Sequence, residues 1–166
     1  MNTTIERLLN QQITYEHQAS LSYLNMATWA DLHQCRGAAH FLYRQSQEES
    51  THMMKIIDYL ITLGRRPLIP TGAFRLTQDY PNLKSLFEEA LASEKKVTQH
   101  VHKLTATALD QEDFNTFEFL QWFVAEQREE EDNIQTILGM FNMVDKEGIG
   151  IYTIDQAIKN FGEGAK

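Results

Sequence analysis

The sequence holds a single cysteine, Cys35, only three prolines and no long apolar run. One thiol excludes an internal disulfide, a cysteine-rich zinc site and a rubredoxin-type iron centre. Without a long apolar run, a membrane-spanning helix is excluded as well. Basic charge is scarce: 15 lysines and arginines face 23 aspartates and glutamates, giving a net charge of −8 with no basic cluster. Such a surface repels a phosphate backbone, so cations rather than nucleic acid are the expected guests. The N-terminal stretch MNTTIERLLNQQ lacks the charged-then-apolar layout of a secretory signal, and a cytoplasmic location is expected. What is present in quantity is apolar: 42% of 166 residues, enough to bury a core within a single domain spanning 1–166.

All three prolines, Pro67, Pro70 and Pro81, lie in one stretch after Gly64, which leaves both flanks free for long helices. Apolar residues recur at helical spacing in four segments, over about 4–33, 36–63, 83–109 and 114–142, with a short fifth over about 154–161. Thr3 with Glu6, and Thr153 with Gln156, are spaced as capping boxes at the first and last of these, and Gly64 is placed to close the second. Rods of roughly 28 residues run about 42 Å. Short links join the first pair and the second pair, while the stretch 64–82 is long enough to cross the molecule. The expected architecture is all-α: an antiparallel four-helix bundle with one long crossover and a short C-terminal helix.

Each long stripe is interrupted in its middle by residues that do not belong in a core: Glu16, then Glu49 with His52, then Glu94, then Gln127 with Glu130. The interruptions are regular. Glu16 to Glu49 and Glu94 to Gln127 both span 33 residues, and an offset of 78 maps Glu16 onto Glu94, Glu49 onto Gln127, His52 onto Glu130, Glu48 onto Glu126 and Phe41–Leu42 onto Phe119–Leu120. The chain reads as a duplicated helical hairpin whose polar groups meet at one level. Four carboxylates carry −4 and two divalent cations +4, so a pair of metal ions would neutralise the layer. Oxygen-rich ligation with one imidazole suits iron, manganese or zinc, and spacing does not choose among them. The plain alternative is a non-catalytic bundle whose buried polar network sets helix register.

The segments RGAAHFL at Arg36–Leu42, QEESTHM at Gln47–Met53 and FLQWFVAEQREEE at Phe119–Glu131 resemble the second and fourth helices of bacterial non-haem ferritins, within the ferritin-like di-iron superfamily. The resemblance implies a ferroxidase that oxidises Fe(II) with O2 or H2O2 and stores ferric mineral in a 24-subunit homo-oligomeric shell. It implies Glu16, Glu49 and His52 as ligands of one iron, with Glu49 bridging, and Glu94 and Glu130 as ligands of the second, beside Gln127. A third iron position is implied at Glu48, Glu126, Glu129 and Glu130. Against it stands the reading of 126–132 as a solvated acidic face with Arg128 as counter-charge.

Bacterioferritins place a haem-ligating methionine where this chain has Ser50, so no haem is expected. They also carry Glu-x-x-His in the fourth helix, where Gln127 and Glu130 stand here, and unequal filling of the two iron positions follows. Mini-ferritins generally lack the fifth helix. The acidic pore residues of animal ferritins fall on Phe117 and Leu120, which leaves the iron entry route unassigned. Tyr23 lies two turns beyond Glu16 on the same face, placed either to hydrogen-bond a ligand or supply an electron, or simply to pack; the same pair of readings applies to Trp122. A small di-iron oxidase or peroxidase without storage is the rival enzyme.

Overall fold

The computed structural model describes residues 2–144 and 148–161. Five helices occur among the described residues: α1 Thr3–Leu32, α2 Arg36–Thr62, α3 Leu83–Asp110, α4 Phe114–Met140 and α5 Ile149–Lys159. No strand occurs among the described residues. The architecture is the expected four-helix bundle with a short C-terminal helix.

The duplicated pattern extends to the backbone of the tight turns. At the end of α1, Gln34 takes a left-handed φ of 62°, and the Gln34 and Cys35 amides close onto Asp31 and Ala30 carbonyls. At the end of α3, 78 residues on, Glu112 takes φ 55° and the Glu112 and Asp113 amides close onto Leu109 and Ala108. Both are left-handed helix stops that satisfy carbonyls otherwise orphaned at a C-terminus, here without glycine. Gly64 (φ 66°) makes the same stop after α2, with its own amide on Ile61 and that of Arg65 on Leu60.

The crossover, though without helix or strand, is fastened along α1. Leu68 N–H donates to Asn10 Oδ1 (2.7 Å), Asn25 Nδ2 donates to the Thr77 carbonyl (2.7 Å), and Trp29 Nε1 donates to Asp79 Oδ1 (2.8 Å). These anchors fall at successive levels of one helix and span about 28 Å at 1.5 Å per residue. The strap therefore runs the bundle's length and starts α3 at the same end as the end of α1. Helix α3 then runs antiparallel to α1.

Two details of the sequence reading are corrected. Asn2, not Thr3, caps α1: its Oδ1 accepts from the Thr4 and Ile5 amides at 2.9 and 3.1 Å. Helix α5 begins at Ile149 rather than near 154, so Thr153 is interior and its hydroxyl bonds back to the Ile149 carbonyl (2.8 Å). The earlier start places Ile154, Asp155 and Ile158 on the face buried against α2. Asp155 then does for α2 what its own N-cap residue, Cys35, does not: Oδ2 accepts from Gly37 N–H (2.9 Å) and Oδ1 from Ala38 N–H (2.8 Å). The approach is so close that a Cβ on Gly37 would lie 1.9 Å from the Asp155 carbonyl oxygen, which requires glycine there.

The apolar core is divided. One cluster gathers Met26, Ala30, Phe41, Phe87, Ile134, Ile137 and the α5 residues Ile154 and Ile158. The other gathers Leu8, Ile13, Ile56, Leu60, Val101, Leu104, Leu120 and Phe123 at the opposite end. Between them lies a polar layer.

Candidate metal centre

The layer consists of Glu16, Glu49, His52, Glu94, Gln127 and Glu130, none more than 5% exposed. One helical period puts Glu49 and His52 on the same face of α2, and Gln127 and Glu130 on the same face of α4. Their level is set by the short hairpin turns and by apolar packing above and below. Ligand atoms of Glu16, Glu49 and His52 lie within 4.8 Å of one another, as do those of Glu49, Glu94 and Glu130, so Glu49 is common to both triplets. A third triplet joins His52 and Glu130 to Glu126.

Hydrogen bonding within the layer is uneven. Glu94 is satisfied on both oxygens: Tyr23 OH donates to Oε1 at 2.5 Å and Gln127 Nε2 donates to Oε2 at 3.1 Å. Glu16 receives Gln12 Nε2 on Oε1 (2.7 Å), while its Oε2 is buried without a partner. Glu49 Oε1 and Glu130 Oε2 are likewise buried and unpartnered. His52 Nδ1 lies 3.3 Å from Glu49 Oε2 and 3.5 Å from Glu130 Oε1. Three bare carboxylate oxygens at buried positions are costly unless protonated or bound to a cation.

Proton affinities report the same stress. Burial pushes the Glu16 carboxyl from the ordinary range up to about 7. Burial, followed by the neighbouring carboxylates, raises Glu49 and Glu130 well above theirs. Glu94 rises less freely, because burial is opposed by the hydrogen bonds of Tyr23 and Gln127. Burial and the same carboxylates hold the Tyr23 hydroxyl protonated, as donor. A cluster of this kind binds divalent cations in place of protons.

The other predicted residues fall around this layer. Glu48, Glu126, Glu129 and Glu130 line one recess together with Arg44, Gln45 and Asn133; Glu48 and Glu126 are half-buried, and Glu129 is exposed. Trp122 stands edge-on to His52 with ring centres 5.1 Å apart, and Lys55 Nζ lies 4.2 Å above the indole. Ser50 is held by the Ser20 hydroxyl (3.0 Å) in the α1–α2 seam. Sequence reasoning missed the roles of Gln12 and His100, whose Nδ1 meets Gln12 Oε1 at 2.6 Å. The available signal was Gln12 itself, a polar residue in an apolar stripe one turn before Glu16.

The sequence pattern of the Ferritin-like domain family matches residues 6–144. The chain belongs to the ferritin family. It is 39% identical over 150 residues to a bacterial non-heme ferritin of Escherichia coli O157:H7, covering 90% of each chain. A bacterial non-heme ferritin of Campylobacter jejuni is 32% identical over 166 residues, covering 100% of this chain and 99% of that one. Among solved structures, an open pore ferritin from the archaeon Archaeoglobus fulgidus superposes with a TM-score of 0.91 at 28% identity, covering 96% of each chain. The buried carboxylate and imidazole groups of this chain are arranged so that they could hold metal. No helix among the described residues is long and apolar enough to cross a membrane.

Proposed function

We propose that the polar layer is a ferroxidase centre at which two ferrous ions per chain are bound and oxidised. The observation that carries this reading is the set of bare oxygens, Glu16 Oε2, Glu49 Oε1 and Glu130 Oε2, turned into a buried layer that also contains a histidine. Glu16, Glu49 and His52 serve as ligands of the first ion, Glu94 and Glu130 of the second, and Glu49 lies between them as the bridge. Each ferrous ion gives one electron, so dioxygen is reduced by two electrons to the peroxide level, or hydrogen peroxide to water. The carboxylates give up their protons as iron enters. Tyr23 and Gln127 hold Glu94 until it is drawn to the metal, and Trp122 packs edge-on against His52.

Family membership supports the wider reading: a cytoplasmic homo-oligomer, a 24-subunit shell, that stores the ferric product and needs no haem. Glu48, Glu126, Glu129 and Glu130, which line one recess, form the third iron position, with Glu130 shared with the layer. The decisive experiment is stopped-flow absorbance of ferric product after mixing oxygen with protein preloaded with ferrous iron at rising ratios. A fast phase that saturates near two irons per chain is expected. No fast phase above the buffer rate would return the layer to the register-setting network of a structural bundle. Solution mass separates a storage shell from a small di-iron oxidase.

A further inference from the structure

A chain of polar contacts leaves the layer and enters the α1–α3 interface. Gln12 is 1% exposed and reaches in two directions: Nε2 donates to Glu16 Oε1 at 2.7 Å, and Oε1 meets His100 Nδ1 at 2.6 Å. The His100 ring is buried edge-on against Tyr15, with centres 4.7 Å apart, and its Nε2 has no partner. Burial, then the charges of Lys103 and Arg7, push this histidine down to about 4, so the ring is neutral and carries one proton. At Nε2 that proton would meet nothing; at Nδ1 it meets an amide oxygen. The proton therefore sits on Nδ1, and the ring donates.

That choice decides the rest of the chain. An amide oxygen occupied by the histidine turns its NH2 toward Glu16, and the reversed amide would set oxygen against carboxylate oxygen and N–H against N–H. With Glu16 Oε1 taken by the amide, Oε2 alone is left bare. We propose that Gln12 and His100 are positioning residues that fix Glu16 as a one-oxygen ligand, through Oε2, for the first ferrous ion. The proposal rests on the reading of Glu16, Glu49 and His52 as an iron position, and it extends that position to a residue of α3. Outer partners of this kind orient ligands, and their loss commonly costs 10- to 100-fold in metal affinity.

The test is titration of the metal-free protein with Co(II), followed by its visible ligand-field absorption, in the wild type and in Gln12→Met, His100→Phe, His100→Asn and the Gln12→Met/His100→Phe double variant. Gln12→Met is expected to weaken the tightest binding by about 10-fold and to change the band shape, because Glu16 becomes free to bind through both oxygens. His100→Phe, which keeps the ring packing against Tyr15, is expected to shift both quantities in the same direction. The double variant should lose nothing further, and His100→Asn, whose amide nitrogen takes the place of Nδ1, should restore the wild-type band. Unchanged affinity and band overturn the proposal, as do additive losses in the double variant, which would mean that His100 acts through packing. If Gln12→Met fails to fold, the contrast between His100→Phe and His100→Asn decides alone. Wild-type protein that binds no Co(II) would instead overturn the iron reading beneath it.

Discussion

The two hairpins share a backbone plan and differ in how they treat their central carboxylate. In the first, Glu16 is steadied by Gln12 of its own helix and keeps one bare oxygen next to Glu49 and His52. In the second, Glu94 has both oxygens engaged, one by Gln127 of its own hairpin and one by Tyr23 of the other. The 78-residue offset maps Gln12 onto Ala90 and Tyr23 onto Val101, so neither hairpin can copy the other's arrangement. The first half is open to a cation, whereas the second must surrender hydrogen bonds to accept one. On the proposed reading, duplication supplies two equivalent positions, and divergence of a few side chains is expected to make their filling unequal.

The comparison is broken most completely at the shared ligand and the imidazole beside it. Glu49→Ala or His52→Ala is expected to slow ferrous oxidation by more than about 100-fold, since each removes a proposed ligand rather than an outer partner, and stopped-flow absorbance reads the loss. A variant that retains the fast phase would sink the assignment. Tyr23→Phe sharpens the comparison instead. It strips Glu94 Oε1 of a hydrogen bond that would otherwise have to be surrendered and leaves the Glu16 half untouched, so the expected result is a gain of roughly 10-fold in affinity for the second ion only. An anaerobic calorimetric titration separates the two steps, and equal weakening of both would mean that Tyr23 supports the whole layer.

Much of this layout was legible in the sequence, because periodicity and interruption are both one-dimensional signals. Proline confined to 67–81 marked the crossover, and polar residues inside apolar stripes marked the layer. Hydrogen-bond direction was not legible. Nothing in the string tells that Tyr23 crosses the bundle to Glu94, or that His100, sitting between Val97 and Val101, reaches Gln12 in another helix. The start of α5 was misplaced for a related reason. Thr153 and Gln156 imitate a capping box locally, but the burial of Ile154 and Ile158 and the reach of Asp155 to α2 set the helix in place.

The halves differ again in how their second helices begin. Helix α4 is capped by its own neighbour, Asp113, whose Oδ1 accepts from Thr116 N–H at 3.2 Å. Helix α2 depends on the distant Asp155, which offers both oxygens from a buried position. Asp155→Ala is therefore expected to cost about 2–3 kcal/mol through two charge-assisted bonds, and Asp113→Ala about 1 kcal/mol. Chemical denaturation of both variants checks the order. Similar costs would show that the two Asp155 bonds hold α2 no more strongly than an ordinary cap.

The smallest expected effect concerns pH, and its sign follows from groups that pull in opposite directions. In the metal-free protein, Glu16, Glu49 and Glu130 keep protons that the unfolded chain gives up above the ordinary value of 4.5, so they make stability fall as pH rises toward their native values, about 7 for Glu16. His100 does the reverse. Its native value of about 4 lies below the ordinary 6.5, so its contribution is complete above 6.5 and is lost as pH falls toward 4. The two opposing effects overlap between 4.5 and 6.5; above 6.5 only the carboxyl groups act. The melting temperature of metal-free protein should therefore fall by a few degrees between pH 6.5 and about 8, less so in Glu16→Gln. Saturating divalent metal should invert the slope, because cations take the carboxylates in their deprotonated form. A flat metal-free profile would mean that these carboxyl groups are already ionised below pH 6.5, and the bare oxygens would then need a permanent counter-ion rather than a proton that departing iron returns.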